Sequence, residues 1–197
     1  EIRKGQGAER HIAFCNTSAH PLTLRVTLSS SAIKTNWNEN TITILPDESL
    51  DLMLTWQGDA ESEWGLIQSL LTVECIDNGH RASTHLSAII LPKATENPSQ
   101  APSLLTERRI DLSANAQGTI THKLTLQNSG NAPLQVLRVY SDRVRIEAPN
   151  RLPLSIKPSQ SISLEIRIYP EGATEIPITI ISTDTKRPRQ TVRMRLK

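Results

Sequence analysis

The chain carries one sequence pattern twice, and this duplication constrains its fold more than any other feature. Residues 16–22 read NTSAHPL and residues 128–134 read NSGNAPL, an offset of 112 positions. At the same offset, PDESLDL at 46–52 lies over PSQSISL at 158–164. Two separate segments that share one offset predict tandem copies of one domain.

The domain boundaries follow from composition. Residues 92–103 read PKATENPSQAPS, which contains three prolines and little to bury, so they predict a short, semi-rigid linker. We therefore predict a first domain at 1–91 and a second at 104–197. Each is long enough to bury its own core.

The hydrophobic pattern has a period of two. Leu50, Leu52, Leu54 and Trp56 alternate with other residues, and so do Ile162, Leu164, Ile166 and Ile168 at the matching positions. Turn residues separate many such segments, so we predict an all-β fold: two tandem immunoglobulin-like antiparallel β-sandwiches of seven or eight strands. Predicted strands lie near 9–16, 20–28, 40–44, 49–56, 67–76 and 82–91, and near 107–112, 119–127, 133–140, 143–147, 152–156, 160–168, 175–182 and 190–196.

The beginning of the second half has no counterpart in the first half. Ile110 and Leu112 suggest a first strand in the second half, whereas residue 1 matches residue 113 by offset. The first domain is therefore predicted to lack its first strand. The edge left open in this way is a site for strand addition.

Cys15, Trp37 and Cys75 resemble an immunoglobulin Cys–Trp–Cys pattern, but the strand parity argues against a bridge. Ile12 and Phe14 face inward, so Cys15 faces outward, while Cys75 shares its parity with Leu71 and Val73 and faces inward. A bridge across the core needs both side chains inside. We predict free thiols and a reducing compartment.

Other motifs favour structural roles. Asn16-Thr17-Ser18 matches a glycosylation acceptor, but a turn-capping asparagine is the preferred interpretation. The five histidines show no zinc-like spacing, and no phosphate loop or nucleophile motif is present, so we predict no metal, no cofactor and no catalytic site. No apolar run approaches 18 residues, so no membrane insertion is expected.

Two kinds of residue are candidates for partner binding. Trp37 and Trp64 fall in predicted loops, and Trp64 lies in a five-residue insertion near 57–66; each tryptophan is either a binding anchor or a cover over the sandwich rim. The basic candidates are Arg187, Arg189, Arg193 and Arg195, in a second half of charge +7 against −5 for residues 1–103. Because only two tyrosines accompany them, we expect protein partners, acidic segments among them, and no nucleic acid. The oligomeric state is left open.

Both halves resemble the abnormal-spindle, spindle-defective and hydin group of immunoglobulin-like domains, related to PapD and the major sperm protein. The matching segments are LTLQNSGNAPLQV at 124–136, SIKPSQSISLEI at 155–166, IYPEGA at 168–173, AFCNTSAHPLTL at 13–24 and ILPDESLDLML at 44–54. The first half departs at Trp56-Gln57, where the Tyr-Pro step of the second half is lost.

The resemblance implies a non-catalytic protein–protein interaction or scaffold module of a larger centrosomal, spindle or ciliary protein in the cytoplasm. The alternative is an extracellular or periplasmic surface repeat module of a bacterial protein. A weaker third interpretation is an accessory domain that positions a catalytic partner.

Overall fold

The structure, a computed structural model, contains two compact units, Glu1–Ile90 and Leu91–Lys197. It describes residues 1–37, 41–57, 64–93, 100–113, 118–148 and 152–197.

The first unit is a β-sandwich of two sheets. Its described residues form one five-stranded sheet in the order β1-β8-β7-β3-β5 and one three-stranded sheet in the order β2-β6-β4. The strands are β1 (Ile2–Arg3), β2 (Gly7–Cys15), β3 (Leu22–Leu28), β4 (Ile33–Thr35), β5 (Thr41–Ile44), β6 (Ser49–Gln57), β7 (Gly65–Cys75) and β8 (Arg81–Leu91).

The second unit repeats this arrangement and adds one strand. Its described residues form a five-stranded sheet, β10-β17-β16-β12-β14, and a four-stranded sheet, β13-β15-β11-β9. The strands are β9 (Leu104–Thr106), β10 (Arg109–Leu112), β11 (Ile120–Asn128), β12 (Leu134–Tyr140), β13 (Arg145–Glu147), β14 (Leu154–Ile156), β15 (Ser161–Tyr169), β16 (Glu175–Ser182) and β17 (Arg189–Leu196).

The predicted fold class is confirmed: the described residues form only strands, turns and irregular segments, arranged as two sandwiches. Each predicted strand has a counterpart, and three strands, β1, β4 and β9, were missed. They are two or three residues long, which is too short to show a period of two.

The domain boundaries and the missing first strand stay predictions. Residues 94–99 of the predicted linker lie outside the described residues, and residues 101–103 accept hydrogen bonds from Asn131, Thr185 and Ser129 within the second unit. Strand β1 pairs with β8, as β10 pairs with β17, but no described strand of the first unit occupies the place of β9.

A buried asparagine holds the same corner of each sandwich. Asn16 follows β2 and is 1% exposed; its side-chain amide donates to the carbonyl oxygens of His20 at 2.8 Å and Ile44 at 2.9 Å. Asn128 is fully buried and makes the matching bonds to Ala132 at 2.8 Å and Ile156 at 3.0 Å. Because Ile44 and Ile156 belong to the opposite sheet, each asparagine ties the two sheets together.

A left-handed turn residue completes the corner. Asp47 and Ser159 both have a positive φ, of 59° and 62°, and their amides donate to the carbonyl oxygens of Asn16 and Asn128, each at 2.9 Å. The two corners therefore agree bond by bond, as the repeat predicted. Since the side chain of Asn16 is buried and bonded, its turn-capping interpretation is confirmed.

We predict that Asn16→Ala destabilises the first unit, because it removes the amide that donates to the carbonyls of Ile44 and His20. The Ser18 hydroxyl also donates to His20, so the loss falls mainly on Ile44. The expected loss is about 1–3 kcal/mol for each unpaired buried group. All three tryptophans lie in the first unit, so urea unfolding followed by tryptophan fluorescence measures this loss.

The control is Asn78→Ala, which removes an exposed turn asparagine that accepts from the amide of His80. Equal midpoints for Asn16→Ala and the unsubstituted protein would contradict the structural role of the corner.

Candidate protein-interaction surfaces

The predicted basic residues lie mainly on the solvent-facing side of β17 in the second unit. Arg189, Arg193 and Arg195 are exposed and alternate with the buried residues Val192, Met194 and Leu196. Strand β10 runs parallel to β17 and places Arg109 opposite Arg193. Parallel pairing of the two strands thus gathers guanidinium groups from distant parts of the sequence.

These residues line a groove of about 360 Å³. Arg109, Arg193 and Arg195 contribute to its wall, together with Arg143, Pro177 and Glu175. Arg143 was not a predicted candidate, and neither was Arg109, since nothing in the local sequence indicates that they approach β17. Arg187 lies before β17 in a turn, where its backbone amide donates to Asp184 at 2.7 Å.

Besides Glu175, a second carboxylate partly neutralises this face. Asp111 on β10 accepts from Arg109 at 3.2 Å and lies 3.5 Å from the ammonium group of Lys197. Desolvation acts to raise the pKa of the Asp111 carboxyl, but hydrogen bonding and charge from Arg109 and Lys197 outweigh it and lower this pKa below its usual value. Asp111 is therefore ionised near neutral pH.

The two candidate tryptophans pack against the core of the first unit and are only partly exposed. The ring of Trp37 lies 5.8 Å from that of Phe14, measured between centroids. Lys4 places its ammonium group 4.8 Å from the ring centroid of Trp64. The insertion before Trp64 falls largely on residues 58–63, which lie outside the described residues. Partner binding by either tryptophan stays a prediction.

A third surface, on the first unit, is the edge of β2. In the second unit the matching strand β11 is paired on both sides, with β15 and with β9. In the first unit β2 pairs with β6 and has no second neighbour among the described strands. The difference leaves a nine-residue strand at the edge of its sheet.

The second unit shows how such an edge is closed. Leu104 of β9 is fully buried, its amide donates to Asp184 at 2.7 Å, and its carbonyl oxygen accepts from Gln190 at 2.9 Å. Ahead of it, Ala101 donates to the side chain of Asn131 at 2.8 Å. Gly130 permits this path, because a Cβ at its position would lie 2.2 Å from the carbonyl oxygen of Ala101.

The cysteines face as the strand parity predicted. Cys15 is exposed, Cys75 is buried, and both are free. Four histidines are exposed, whereas His122 points one ring nitrogen into the interior without a hydrogen-bond partner. No group of three or more His, Cys, Asp or Glu residues within the described ranges could hold a metal ion. Within the same ranges, no helix is long and apolar enough to cross a membrane.

Comparison with known proteins gives a likeness in fold. No protein-family model and no curated protein matches the chain. The structure of a protein of unknown function from Porphyromonas gingivalis W83 aligns over 99% of this chain and 93% of its own length, with 17% identity and a TM-score of 0.69.

Two more distant likenesses have low TM-scores. The chaperone DraB of E. coli aligns over 98% of this chain and 92% of its own length, with 9% identity and a TM-score of 0.35. A protein of Caenorhabditis elegans described as MSP-domain-like aligns over 45% of this chain and 92% of its own length, with 12% identity and a TM-score of 0.34.

We predict that Gly130→Ala destabilises the second unit by displacing residues 101–103, since the added methyl overlaps backbone atoms that have no flexible end to move. Overpacking of this kind costs about 1–3 kcal/mol. Thermal unfolding followed by far-ultraviolet circular dichroism measures the loss. The control is Gly7→Ala, because a Cβ at Gly7 would lie 3.9 Å from the carbonyl oxygen of Trp56, an ordinary contact distance. A melting temperature unchanged by Gly130→Ala would show that residues 101–103 do not follow this path.

Proposed function

We propose that the chain is a non-catalytic protein-interaction module whose second unit binds an acidic segment of a partner protein. The observation that carries this proposal is the excess of positive charge around the β17 groove. Arg109, Arg143, Arg193 and Arg195 line it, against Glu175. Asp111 is bonded to Arg109 beside the groove and to Lys197. Guanidinium groups bind carboxylates with two parallel hydrogen bonds, so an acidic peptide suits this face.

A nucleic acid fits the same face less well. Single-strand binding needs exposed aromatic rings for base stacking. Tyr140 and Tyr169, the two aromatic residues of the second unit, are each covered by a guanidinium group, from Arg138 at 4.8 Å and from Arg145 at 5.0 Å. The basic groove therefore has, among the described residues, no free aromatic ring beside it on which a base could stack.

Of the two settings considered, a centrosomal scaffold and an extracellular or periplasmic surface repeat module of a bacterial protein, we propose the second. This setting replaces the reducing compartment predicted from the free thiols. Support comes from the source of the structure that aligns over nearly the whole chain, which is the bacterium Porphyromonas gingivalis. Digestion of the protein by a protease added to intact cells of its source organism would support a surface location. Release of the protein by osmotic shock would support a periplasmic location, and digestion only after full lysis would contradict the proposal.

We predict that the double substitution Arg193→Glu and Arg195→Glu weakens binding of an acidic peptide about tenfold or more, which corresponds to about 1.4 kcal/mol. The probe is a fluorescein-labelled peptide of alternating Glu and Gly residues, and fluorescence anisotropy at low salt gives its Kd. Asp111→Asn should tighten binding, because it removes the carboxylate that engages Arg109 and Lys197. Added salt should weaken binding, since these charges are exposed.

The matched control is Lys123→Glu with Arg167→Glu, which makes the same change of charge on exposed positions of the other sheet of this unit. An equal loss of affinity in the control would mean that net charge alone, rather than the β17 face, binds the peptide. Tighter binding of a single-stranded DNA of equal charge would contradict the preference for protein.

A further inference from the structure

The open edge of β2 presents backbone donors that no described strand uses. The amide of Asn16 donates to the carbonyl oxygen of Glu48 on the β6 side. Because donors alternate along an antiparallel strand, the amides of Cys15, Ala13 and His11 point the other way, toward the open edge. This row of amides and carbonyls is what an added strand would bind.

The first unit lacks several of the side chains that hold the covering strand in the second. Ser18 and Ala19 occupy the positions that match Gly130 and Asn131 in the repeat. Ala82 pairs with Val73 of β7 as Gln190 pairs with Ile180 of β16, so Ala82 is the counterpart of Gln190. The Ser18 hydroxyl donates to the Asn16 side chain at 2.7 Å. A segment following the path of residues 101–103 would therefore meet a side chain instead of a glycine, and would find no counterpart of Asn131 or Gln190 to bind.

A fourth feature, the contact of Asp184, differs as well. Asp184 of the second unit accepts from the amide of Leu104 at 2.7 Å, on the covering strand. Asp77, its counterpart in the first unit, accepts instead from the amide of Thr23 within its own sheet. The first unit thus keeps the sandwich but none of the four features that hold a covering strand in the second.

The core beneath the edge is correspondingly exposed. Leu124 and Leu126 of β11 are fully buried, whereas their counterparts Ile12 and Phe14 are only partly buried. Ile180 of β16 is likewise fully buried, whereas its counterpart Val73 of β7 is only partly buried. A groove of about 540 Å³, lined by Ile12, Phe14, Val73 and other residues of β2, β3, β7 and β8, lies under this edge. An aliphatic side chain entering it would take the role that Leu104 plays in the second unit.

The charged residues on the solvent-facing side of β2 indicate which side chains an added strand would carry on its own solvent-facing side. On β2, Glu9 and His11 face solvent, and His11 is bonded to Asp51 of β6. The carboxylate of Glu9 forms no ion pair with another described residue. An added strand places alternate side chains beside these residues, where a lysine or arginine is attracted and an acidic residue is repelled.

We propose that the first unit binds an extended segment of a partner protein, added antiparallel to the edge of β2. The segment carries aliphatic side chains at alternate positions, facing the groove, and a basic side chain on its outer face near Glu9 and Asp51. This surface lies on the first unit and is independent of the basic face of the second, so either site can fail without the other.

The test uses synthetic peptides and the whole chain. The probe matches the nine residues of β2 in length and alternates leucine with threonine, with one lysine among the threonines. Titration followed by ¹H–¹⁵N spectra should shift the amide signals of Cys15, Ala13 and His11 first and should slow their exchange with solvent. Replacing the lysine by glutamate should weaken binding, because Glu9 and Asp51 then face a like charge.

Ala13→Pro tests the backbone contact, because it removes an amide that points to the open edge and leaves the bonds from β2 to β6 intact. It should weaken peptide binding about tenfold or more, whereas Ala13→Val keeps the amide and should bind as the unsubstituted protein does.

A second test needs no variant of the protein. In the proposed geometry, the threonine and lysine residues of the peptide turn their amides toward β2, and the leucine residues turn theirs away. N-methylation of the first set should abolish binding, and N-methylation of the second should leave it intact.

Three results would overturn the proposal. The first is equal loss of binding from both kinds of methylated peptide. The second is a set of shifted amides that lies outside β2 and its groove. The third is a dimer in sedimentation that Ala13→Pro dissociates, since the occupant of the edge would then be a second copy of the chain.

Discussion

A buried carboxamide at one corner of each sandwich is the interaction on which the rest of the structure depends. Only asparagine at this length offers two donors for the carbonyls of the turn and the opposite sheet, together with an acceptor for the next turn amide. Asn16 and Asn128 make these bonds in the same pattern. By joining the sheets, the corner fixes where β2 and β11 end and which backbone groups of each strand face the sheet edge.

The two units share this corner but treat the adjoining edge differently. In the second unit, Leu104 closes the edge and is held by Asp184 and Gln190, so the core beneath is fully buried. In the first, no described strand covers the edge, and Ile12 and Phe14 remain partly exposed. A long edge strand beside an apolar groove tends to pair with strands of other chains, and a protein can use this tendency to bind a partner. The two copies of the domain therefore present different surfaces: an apolar groove beside β2 in the first unit and a basic groove beside β17 in the second.

The sequence predicted features that a local pattern encodes. Alternation identified the long strands and the opposite facing of Cys15 and Cys75, and the repeat identified the two corners. It missed β9, which is three residues long, and it could not distinguish Phe14 from Leu126, because a period of two shows which way a side chain points but not what covers it. The basic groove was predicted in part: Arg193 and Arg195 stand out on one strand, whereas Arg109 joins them only through a pairing between residues 84 positions apart.

The most direct measurement compares hydrogen exchange at two matching amides of the free protein. The amide of Gln127 points toward β9, and the amide of its counterpart Cys15 points toward the open edge. After correction for intrinsic rates, Cys15 should exchange about a hundredfold faster than Gln127, whereas the neighbouring Phe14, which bonds to β6, should be protected. Equal protection of Cys15 and Gln127 would mean that the first unit already covers its edge, and would contradict the account.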